Sequence, residues 1–122
     1  MALIRLATVN DIPQMFQVRF AVRENRLAPG IVIPEEDVRH AIEDTGRGWV
    51  IEADSQILAF GIADAVNASI WALFVHPDVE GQGYGRRLHN EMVSWLWSRG
   101  VEMIWLTTTP GTRLAISRPD SP

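Results

Sequence analysis

The chain has 122 residues, a net charge of −4 and 47% hydrophobic residues, as expected for one globular domain. Its arginines are scattered along an acidic chain, so a nucleic-acid interface is not indicated. The absence of cysteine excludes disulfides, thiolate metal sites and a cysteine nucleophile, and it suits a reducing cytoplasm. No stretch approaches the roughly 18 apolar residues of a membrane span, and residues 1–16 lack the apolar core of a signal peptide. We therefore expect a cytoplasmic protein.

The first part of the chain predicts a strand followed by two helices. Residues 3–7 form a short strand. Asn10 or Asp11 is expected to cap a helix whose apolar residues recur at helical spacing and which ends near residues 23–26. A second helix starts near Pro34 with an acidic first turn, as the helix dipole prefers.

Three strands, a third helix and a last strand are predicted next. The strands are residues 48–53, 56–63 and 68–75, with a hairpin turn at Asp54-Ser55. Both faces of the third of these strands are apolar, which favours a position inside the sheet; the faces are Ile70, Ala72 and Phe74, and Trp71, Leu73 and Val75. The helix at residues 86–99 has one apolar stripe, and residues 103–106 are the last strand; the stripe is Leu88, Met92, Trp95 and Leu96.

A glycine-rich loop joins the strand at 68–75 to the helix at 86–99. It reads Glu80-Gly81-Gln82-Gly83-Tyr84-Gly85-Arg86. Glycines lack a Cβ atom, which permits positive φ and close approach of a ligand. The helix behind the loop directs its free N–H groups and the positive end of its dipole toward it. Strand, loop and helix together predict a phosphate-binding site.

Two common nucleotide-binding patterns do not fit this loop. The dinucleotide fingerprint requires G-x-G-x-x-G and an acidic residue about 20 residues further on. Here the glycines run G-x-G-x-G, and the next strand ends in Thr107-Thr108-Thr109. The Walker pattern requires a lysine after its last glycine, and this chain contains no lysine.

The sequence Leu73-Phe74-Val75-His76-Pro77, followed by the loop, resembles motif A of the GNAT N-acetyltransferase superfamily. That family's loop usually reads Gln/Arg-x-x-Gly-x-Gly/Ala and holds the pyrophosphate of acetyl-CoA on backbone amides. Glu80 replaces the usual Gln or Arg, and a carboxylate is unfavourable beside a pyrophosphate unless its side chain points away. The predicted order β, α, α, β, β, β, loop, α, β is also the order of this family.

The resemblance implies an α/β (α+β) fold in one domain, residues 1–122, with a mixed, mostly antiparallel sheet flanked by helices. It implies an acetyl-CoA-dependent N-acetyltransferase that moves an acetyl group directly to a primary amine of a small molecule or peptide. The strand would hold the pantetheine, and one main-chain N–H would polarise the carbonyl. The residues assigned to acetyl-CoA are Leu73, Phe74, Val75, Gly81, Gln82, Gly83, Tyr84, Gly85 and Arg86. Arg86 or Arg87 would add a charge-assisted contact to phosphate.

The sequence leaves the general base and the general acid open. Glu52 and Asp64 are carboxylates on strands that could reach an acceptor amine through water, but solvated surface positions explain them equally well. Glu24 and Asn25 either contact the substrate or form a polar helix end, and the second interpretation is favoured. The only tyrosine, Tyr84, lies inside the loop, so no residue matches the tyrosine that many family members use as general acid.

A metal site is not predicted. His76 lies close to Asp78 and Glu80 in the sequence, but the histidines lack the short spacing that is typical of zinc ligands.

The resemblance also predicts a missing C-terminal part. After the fifth strand the family continues with a helix and two more strands, whereas residues 113–122, with prolines at 119 and 122, are expected to be an irregular tail. Met103–Leu106 would then be an exposed apolar edge, which invites pairing with another chain. We therefore predict a homodimer through this strand. The alternative to an active enzyme is a catalytically weak, CoA-binding or oligomeric remnant of the family.

Overall fold

A computed structural model describes residues 2–26, 35–107 and 113–118, with the side chains of residues 23–26, 107 and 113 outside that description. Within these ranges the strands form one sheet in sequential order. Neighbouring strands are antiparallel except for the parallel pair β4 and β5. The strands are β1 (Leu3–Leu6), β2 (Gly46–Ala53), β3 (Gln56–Asp64), β4 (Ser69–Val75), β5 (Met103–Thr107) and β6 (Arg113–Ser117). The predicted mixed, mostly antiparallel sheet and the internal position of β4 are confirmed.

Helices cover both faces of the sheet, as predicted. They are α1 (Ile12–Arg26), α2 (Glu35–His40) and α3 (Tyr84–Ser98). The first two helices pack on one face of the sheet and α3 packs on the other. Short 3₁₀ turns at Val9–Asp11 and Pro77–Val79 and a π turn at Ala41–Thr45 complete the chain order. Of the helices that the structure describes, none is long and apolar enough to cross a membrane.

Helix α3 is held against the sheet by an apolar stripe. Leu88, Met92 and Leu96 are fully buried at a spacing of four residues, as predicted. A fully buried side chain of this kind stabilises the fold by about 2 kcal/mol. Gly61 of β3 lies beneath the stripe, where a Cβ atom would stand 2.8 Å from the Cε atom of Met92. Glycine at this position therefore lets the helix lie close to the sheet.

The start of α1 is fixed by a charged cluster. Thr8, rather than Asn10 or Asp11, is the N-cap of the 3₁₀ turn that leads into the helix. The buried Asp11 carboxylate accepts hydrogen bonds from the Thr8 N–H at 2.8 Å and from the Arg5 guanidinium at 2.8 and 2.9 Å. Arg5 also donates to Glu52 at 3.1 Å. The hydrogen bonds from Arg5 hold the pKa of Asp11 below its usual value.

The irregular tail predicted after residue 112 is wrong, because Arg113–Ser117 forms β6. This strand pairs antiparallel with β5 along its whole length, and Ile116 packs against the residues beneath α3. Pro119 follows the strand and so does not interrupt it. Since β6 occupies the outer edge of β5, the exposed edge predicted at Met103–Leu106 is also wrong. The homodimer predicted through that edge loses its basis.

Candidate active site

Strand β4 carries one extra residue, Trp71, relative to its neighbour β3. Ile62 lies opposite Ala72, whereas the next residue of β3, Ala63, lies opposite Ile70. This β-bulge breaks the alternation of side chains. Trp71 and Ala72 therefore both pack on the α1 side of the sheet, while Ile70 packs on the α3 side. The two predicted faces of β4 are wrong for Ile70 and Trp71 for this reason.

Strands β4 and β5 separate where the bulge begins. Only the first two residues of β4, Ser69 and Ile70, pair with β5 in the described part of the chain. Further along, the His76 N–H donates to the Leu58 carbonyl at 2.8 Å. Because hydrogen bonding alternates along an antiparallel ladder, the main-chain groups of Leu73 and Val75 point away from β3, into the space between β4 and β5.

The loop after β4 has the backbone that its glycines predict. Gly81 and Gly83 have φ of +81° and +85°, and a Cβ atom at either would meet nothing within 4 Å. The left-handed backbone, rather than crowding, therefore requires glycine at these two positions. Gly85 differs, because it lies inside α3, where an added Cβ atom would stand 3.5 Å from Val75 Cγ2.

The start of α3 has free hydrogen-bond donors. Gly83 is the N-cap and supplies no side-chain cap, and the Arg87 N–H donates to the Gly83 carbonyl at 3.1 Å. The preceding N–H groups, of Tyr84, Gly85 and Arg86, have no acceptor within the helix. They lie at the positive end of the helix dipole, so this helix start is suited to an anion.

An open cavity of about 350 Å³ lies between β4, the loop and the start of α3. Of the residues predicted to bind acetyl-CoA, its wall contains Leu73, Phe74, Val75, Gly81, Gly83, Tyr84 and Gly85. Gln82 of the loop and Arg86 of the first turn of α3 are exposed but lie outside this wall. Val22 of α1 also lines the cavity and was not predicted, since a valine at helical spacing indicates a core position. The volume is in the usual range for a ligand site, about 300–1,000 Å³.

Charged residues of both signs lie on the loop and on the first turn of α3. Glu80 is exposed and brings a carboxylate to the wall. The side chains of Arg86 and Arg87 are exposed on the first turn of α3. A diphosphate at this helix start would therefore lie beside the free N–H groups and the Glu80 carboxylate, with two arginines on the same helical turn.

The two candidate bases lie outside the wall of this cavity and have structural partners. Asp64 accepts hydrogen bonds from the Val66 N–H at 2.9 Å, the Asn67 N–H at 3.1 Å and the Asn67 side-chain amide at 2.8 Å, which closes the turn after β3. Glu52 accepts from Arg5. The side chains of Glu24 and Asn25 lie outside the described residues.

His76 and Asp78 form a turn rather than a metal site. The His76 Nδ1 atom accepts a hydrogen bond from the Asp78 N–H at 3.1 Å. In the ranges that the structure describes, no group of three or more histidine, aspartate or glutamate side chains is arranged to hold a metal ion.

Residues 10–117 match the model of the Acetyltransferase (GNAT) family. The chain belongs to this family. A curated relative, the [ribosomal protein bS18]-alanine N-acetyltransferase of Salmonella typhimurium, is 32% identical over 69 residues, which are 55% of this chain and 47% of the relative. The match thus spans about half the length of that relative.

Solved structures share the fold over nearly the whole chain. A GNAT family acetyltransferase from Brucella melitensis, solved in complex with acetyl-CoA, has a TM-score of 0.76 and 21% identity, over 100% of this chain and 92% of that one. The ribosomal-protein-S18-alanine N-acetyltransferase from Escherichia coli has a TM-score of 0.72 and 19% identity, over 98% and 97% of the two chains. The predicted family and fold are confirmed.

Proposed function

We propose that this protein is a cytoplasmic, acetyl-CoA-dependent N-acetyltransferase that acts on a primary amine of a peptide or small molecule. The observation that carries the proposal is the set of free N–H groups at the start of α3, beside a cavity that continues along the open side of β4. A diphosphate in this position accepts hydrogen bonds from those groups and is stabilised by the helix dipole. Family membership and the acetyl-CoA complex of the Brucella melitensis protein support the same co-substrate.

The residues present fit the diphosphate, the pantetheine arm and the thioester carbonyl of acetyl-CoA. Gly81 and Gly83 keep the loop open to a bulky anion, since neither carries a side chain. The pantetheine arm contains amide groups, and the main-chain groups of Leu73 and Val75 face the space in which it would lie. A main-chain N–H on this edge is also suited to polarising a carbonyl, because it is fixed in place before the reaction.

The proposed reaction is direct transfer. The nitrogen of a neutral amine attacks the thioester carbonyl carbon, so that an N–C bond forms and the C–S bond breaks. The amine nitrogen gives up a proton, and the departing thiolate of CoA takes one up. The protein contributes mainly by holding the two reactants in position and by polarising the carbonyl.

The acceptor class that we propose first is the amino terminus of a protein or peptide. The support is the Salmonella typhimurium relative, whose name describes acetylation of an alanine of a ribosomal protein. The alternative is a CoA-binding protein with weak turnover. It is favoured by one observation: Tyr84, the single tyrosine of the chain, lies in the wall of the co-substrate cavity. No other tyrosine is therefore present to serve as the general acid that many family members use.

Calorimetric titration with CoA, ATP and NAD tests the binding part of the proposal. We expect CoA to bind and ATP and NAD to bind far more weakly. A thiol-release assay with acetyl-CoA and a panel of peptides and small amines then tests transfer, with mass spectrometry of the acceptor as the second readout. Absence of CoA binding would refute the proposal, whereas CoA binding without thiol release would select the alternative.

A further inference from the structure

His76 joins β4 to the turn that precedes the glycine loop, and it forms hydrogen bonds through three different groups. Its N–H donates to the Leu58 carbonyl of β3 at 2.8 Å, and its carbonyl accepts from the Val79 N–H at 3.0 Å. Its Nδ1 atom accepts from the Asp78 N–H at 3.1 Å, so the side chain caps the 3₁₀ turn at Pro77–Val79. His76 thus holds this turn to the sheet immediately before the glycine loop.

The imidazole of His76 lies outside the co-substrate cavity. It lines a separate cavity of about 340 Å³ between α1, β3 and the turn. Among the described residues, none lines both cavities: Val79 belongs to the wall of the second one, and its neighbour Glu80 belongs to the wall of the first. Any effect of the imidazole on a molecule in the co-substrate cavity therefore passes through the turn.

We propose that neutral His76 is a positioning residue for CoA, and that protonation of its imidazole weakens CoA binding; this inference rests on the proposed function. The turn sets the direction in which the chain enters the loop, and the loop leads directly to the free N–H groups of α3. Without the hydrogen bond from the Asp78 N–H, the turn gains conformations in which the loop does not present these groups. The affinity for CoA then falls with the fraction of molecules whose loop keeps the binding conformation.

The hydrogen bond at Nδ1 requires a neutral ring. Nδ1 accepts the Asp78 N–H with its lone pair, so the single proton of the neutral ring lies on Nε2. A second proton occupies that lone pair and makes Nδ1 a donor, so the Asp78 N–H loses its acceptor. The charged ring instead attracts the Asp78 carboxylate, whose Oδ2 atom is 3.7 Å from Nδ1. Histidine is the side chain that ordinarily changes its charge between about pH 5 and 8.

Asp78 is the acidic residue that faces the imidazole. In the described part of the chain, it is the only other titratable residue of this cavity wall. Asp54, in the hairpin turn before β3, lies outside the wall, and Glu80 lines the other cavity. The residues that α1 and β3 contribute to the wall are uncharged; they are Gln14, Gln17, Val18, Gln56, Ile57 and Leu58. Loss of the hydrogen bond from the Asp78 N–H is therefore the main local consequence of protonation.

Two substitutions of His76 test this hydrogen bond by calorimetric titration with CoA. His76→Ala removes the acceptor and should weaken CoA binding about fivefold, which corresponds to the loss of one capping hydrogen bond. His76→Asn supplies a side-chain oxygen as the acceptor and should bind CoA within about twofold of the unaltered protein. His40→Ala is the matched control, because His40 pairs with Asp44 on the surface, with its side chain 62% exposed, and lies outside both cavity walls. It should keep the full affinity.

The pH dependence of CoA binding is a readout that a merely structural role would not change. CoA contains a phosphate that itself titrates at about pH 6, so the unaltered protein and His76→Asn are compared at each pH. We expect equal affinities at about pH 8, and about fivefold weaker binding by the unaltered protein than by His76→Asn at about pH 5. A constant ratio of the two affinities would overturn the inference. Tighter binding by the unaltered protein at the lower pH would also overturn it, since the charge would then act directly on the diphosphate.

Heteronuclear NMR of the imidazole tests the inference on the unaltered protein alone. We expect His76 at about pH 8 to carry its proton on Nε2 and to leave Nδ1 unprotonated. The opposite tautomer would overturn the inference, because Nδ1 could not then accept the Asp78 N–H.

The outcomes separate the inference from the proposed function. Failure of the unaltered protein to bind CoA refutes the proposed function and this inference with it. CoA binding that His76→Ala does not weaken refutes the inference alone. If thermal unfolding shows that His76→Ala does not fold, the pH comparison and the tautomer of the unaltered protein decide.

Discussion

The charged cluster at the start of α1 and the glycine loop at the start of α3 differ in whether their hydrogen-bonding groups have partners within the protein. In the charged cluster, the Asp11 carboxylate accepts two hydrogen bonds from Arg5 and one from the Thr8 N–H. In the loop, the first N–H groups of α3 have neither an acceptor within the helix nor a side-chain cap. Both places fix the start of a helix, but only the second leaves donors available to a ligand.

This difference separates stability from binding. A buried carboxylate that is fully hydrogen-bonded stabilises the fold and has no capacity left for a substrate. A helix start with free donors contributes less to the fold but is ready for an anion. Substitutions in the two regions should therefore change different measurements.

The largest effect is expected at Gly83. Gly83→Val should weaken CoA binding on the order of a hundredfold, because a β-branched residue cannot keep φ near +85° and the N–H groups of the loop turn away. Calorimetry gives the affinity, and thermal unfolding gives the stability. The backbone strain itself should cost about 1–2 kcal/mol.

Gly100→Val is the matched control for this substitution. Gly100 has φ of +87° and open space around it, like Gly83, but it follows the far end of α3. It should lose a similar amount of stability and keep the affinity for CoA. Equal losses of affinity in the two variants would contradict the assignment of the loop to the diphosphate.

The next effect is expected at Asp11. Asp11→Asn should lower the free energy of unfolding by about 2 kcal/mol, because it weakens charge-assisted hydrogen bonds to Arg5 at a buried position. Urea unfolding measures this change, and CoA affinity should stay constant. Asp44→Asn is the control, since Asp44 pairs with His40 on the surface with its side chain 65% exposed, and such pairs contribute at most about 1 kcal/mol.

The same carboxylate predicts a dependence of stability on pH. The hydrogen bonds from Arg5 lower the pKa of Asp11 in the folded state, so this stabilisation is complete above the unfolded pKa, about 3.9. It is lost as the pH falls through the lower, folded pKa. The difference in unfolding free energy between the unaltered protein and Asp11→Asn should therefore shrink below about pH 4. If this difference in unfolding free energy stays constant when the pH is lowered below about 4, the Arg5–Asp11 ion pair does not stabilise the fold as proposed.

The smallest effect is expected at Glu80. Glu80→Gln should strengthen CoA binding about threefold, because it removes a negative charge from the wall that faces the diphosphate. The gain should shrink at high salt, since exposed charges are screened. Asp78→Asn on the same turn is the control, because Asp78 lies outside this wall. Calorimetry at two salt concentrations would contradict the prediction if both variants behaved alike.

Local patterns were enough to predict most of the fold. The apolar stripe of α3 follows from spacing alone, and Leu88, Met92 and Leu96 are buried as expected. The hairpin at Asp54-Ser55 is confirmed by positive φ of 51° and 66° at its two residues. The positive φ of Gly81 and Gly83 was also predictable, because a tight turn between a strand and a helix needs positive φ and glycine adopts it without strain.

The remaining features depend on partners that are distant in the sequence. The bulge at Trp71 has no local signal, since it is defined by the register with β3. The contact that holds Glu52 comes from Arg5, 47 residues away. Strand β6 is short and followed by Pro119, and it becomes recognisable only because β5 offers a free edge.

The extra residue of β4 has a consequence for how related sequences vary. The space between β4 and β5 depends on the number of residues in β4 more than on which residue stands at position 71. We expect that deleting this one residue would restore regular pairing of β4 with β3, and that β5 would then pair further along β4 and close the space between them. Natural relatives should therefore carry another residue in place of Trp71 far more often than they carry a deletion at this position.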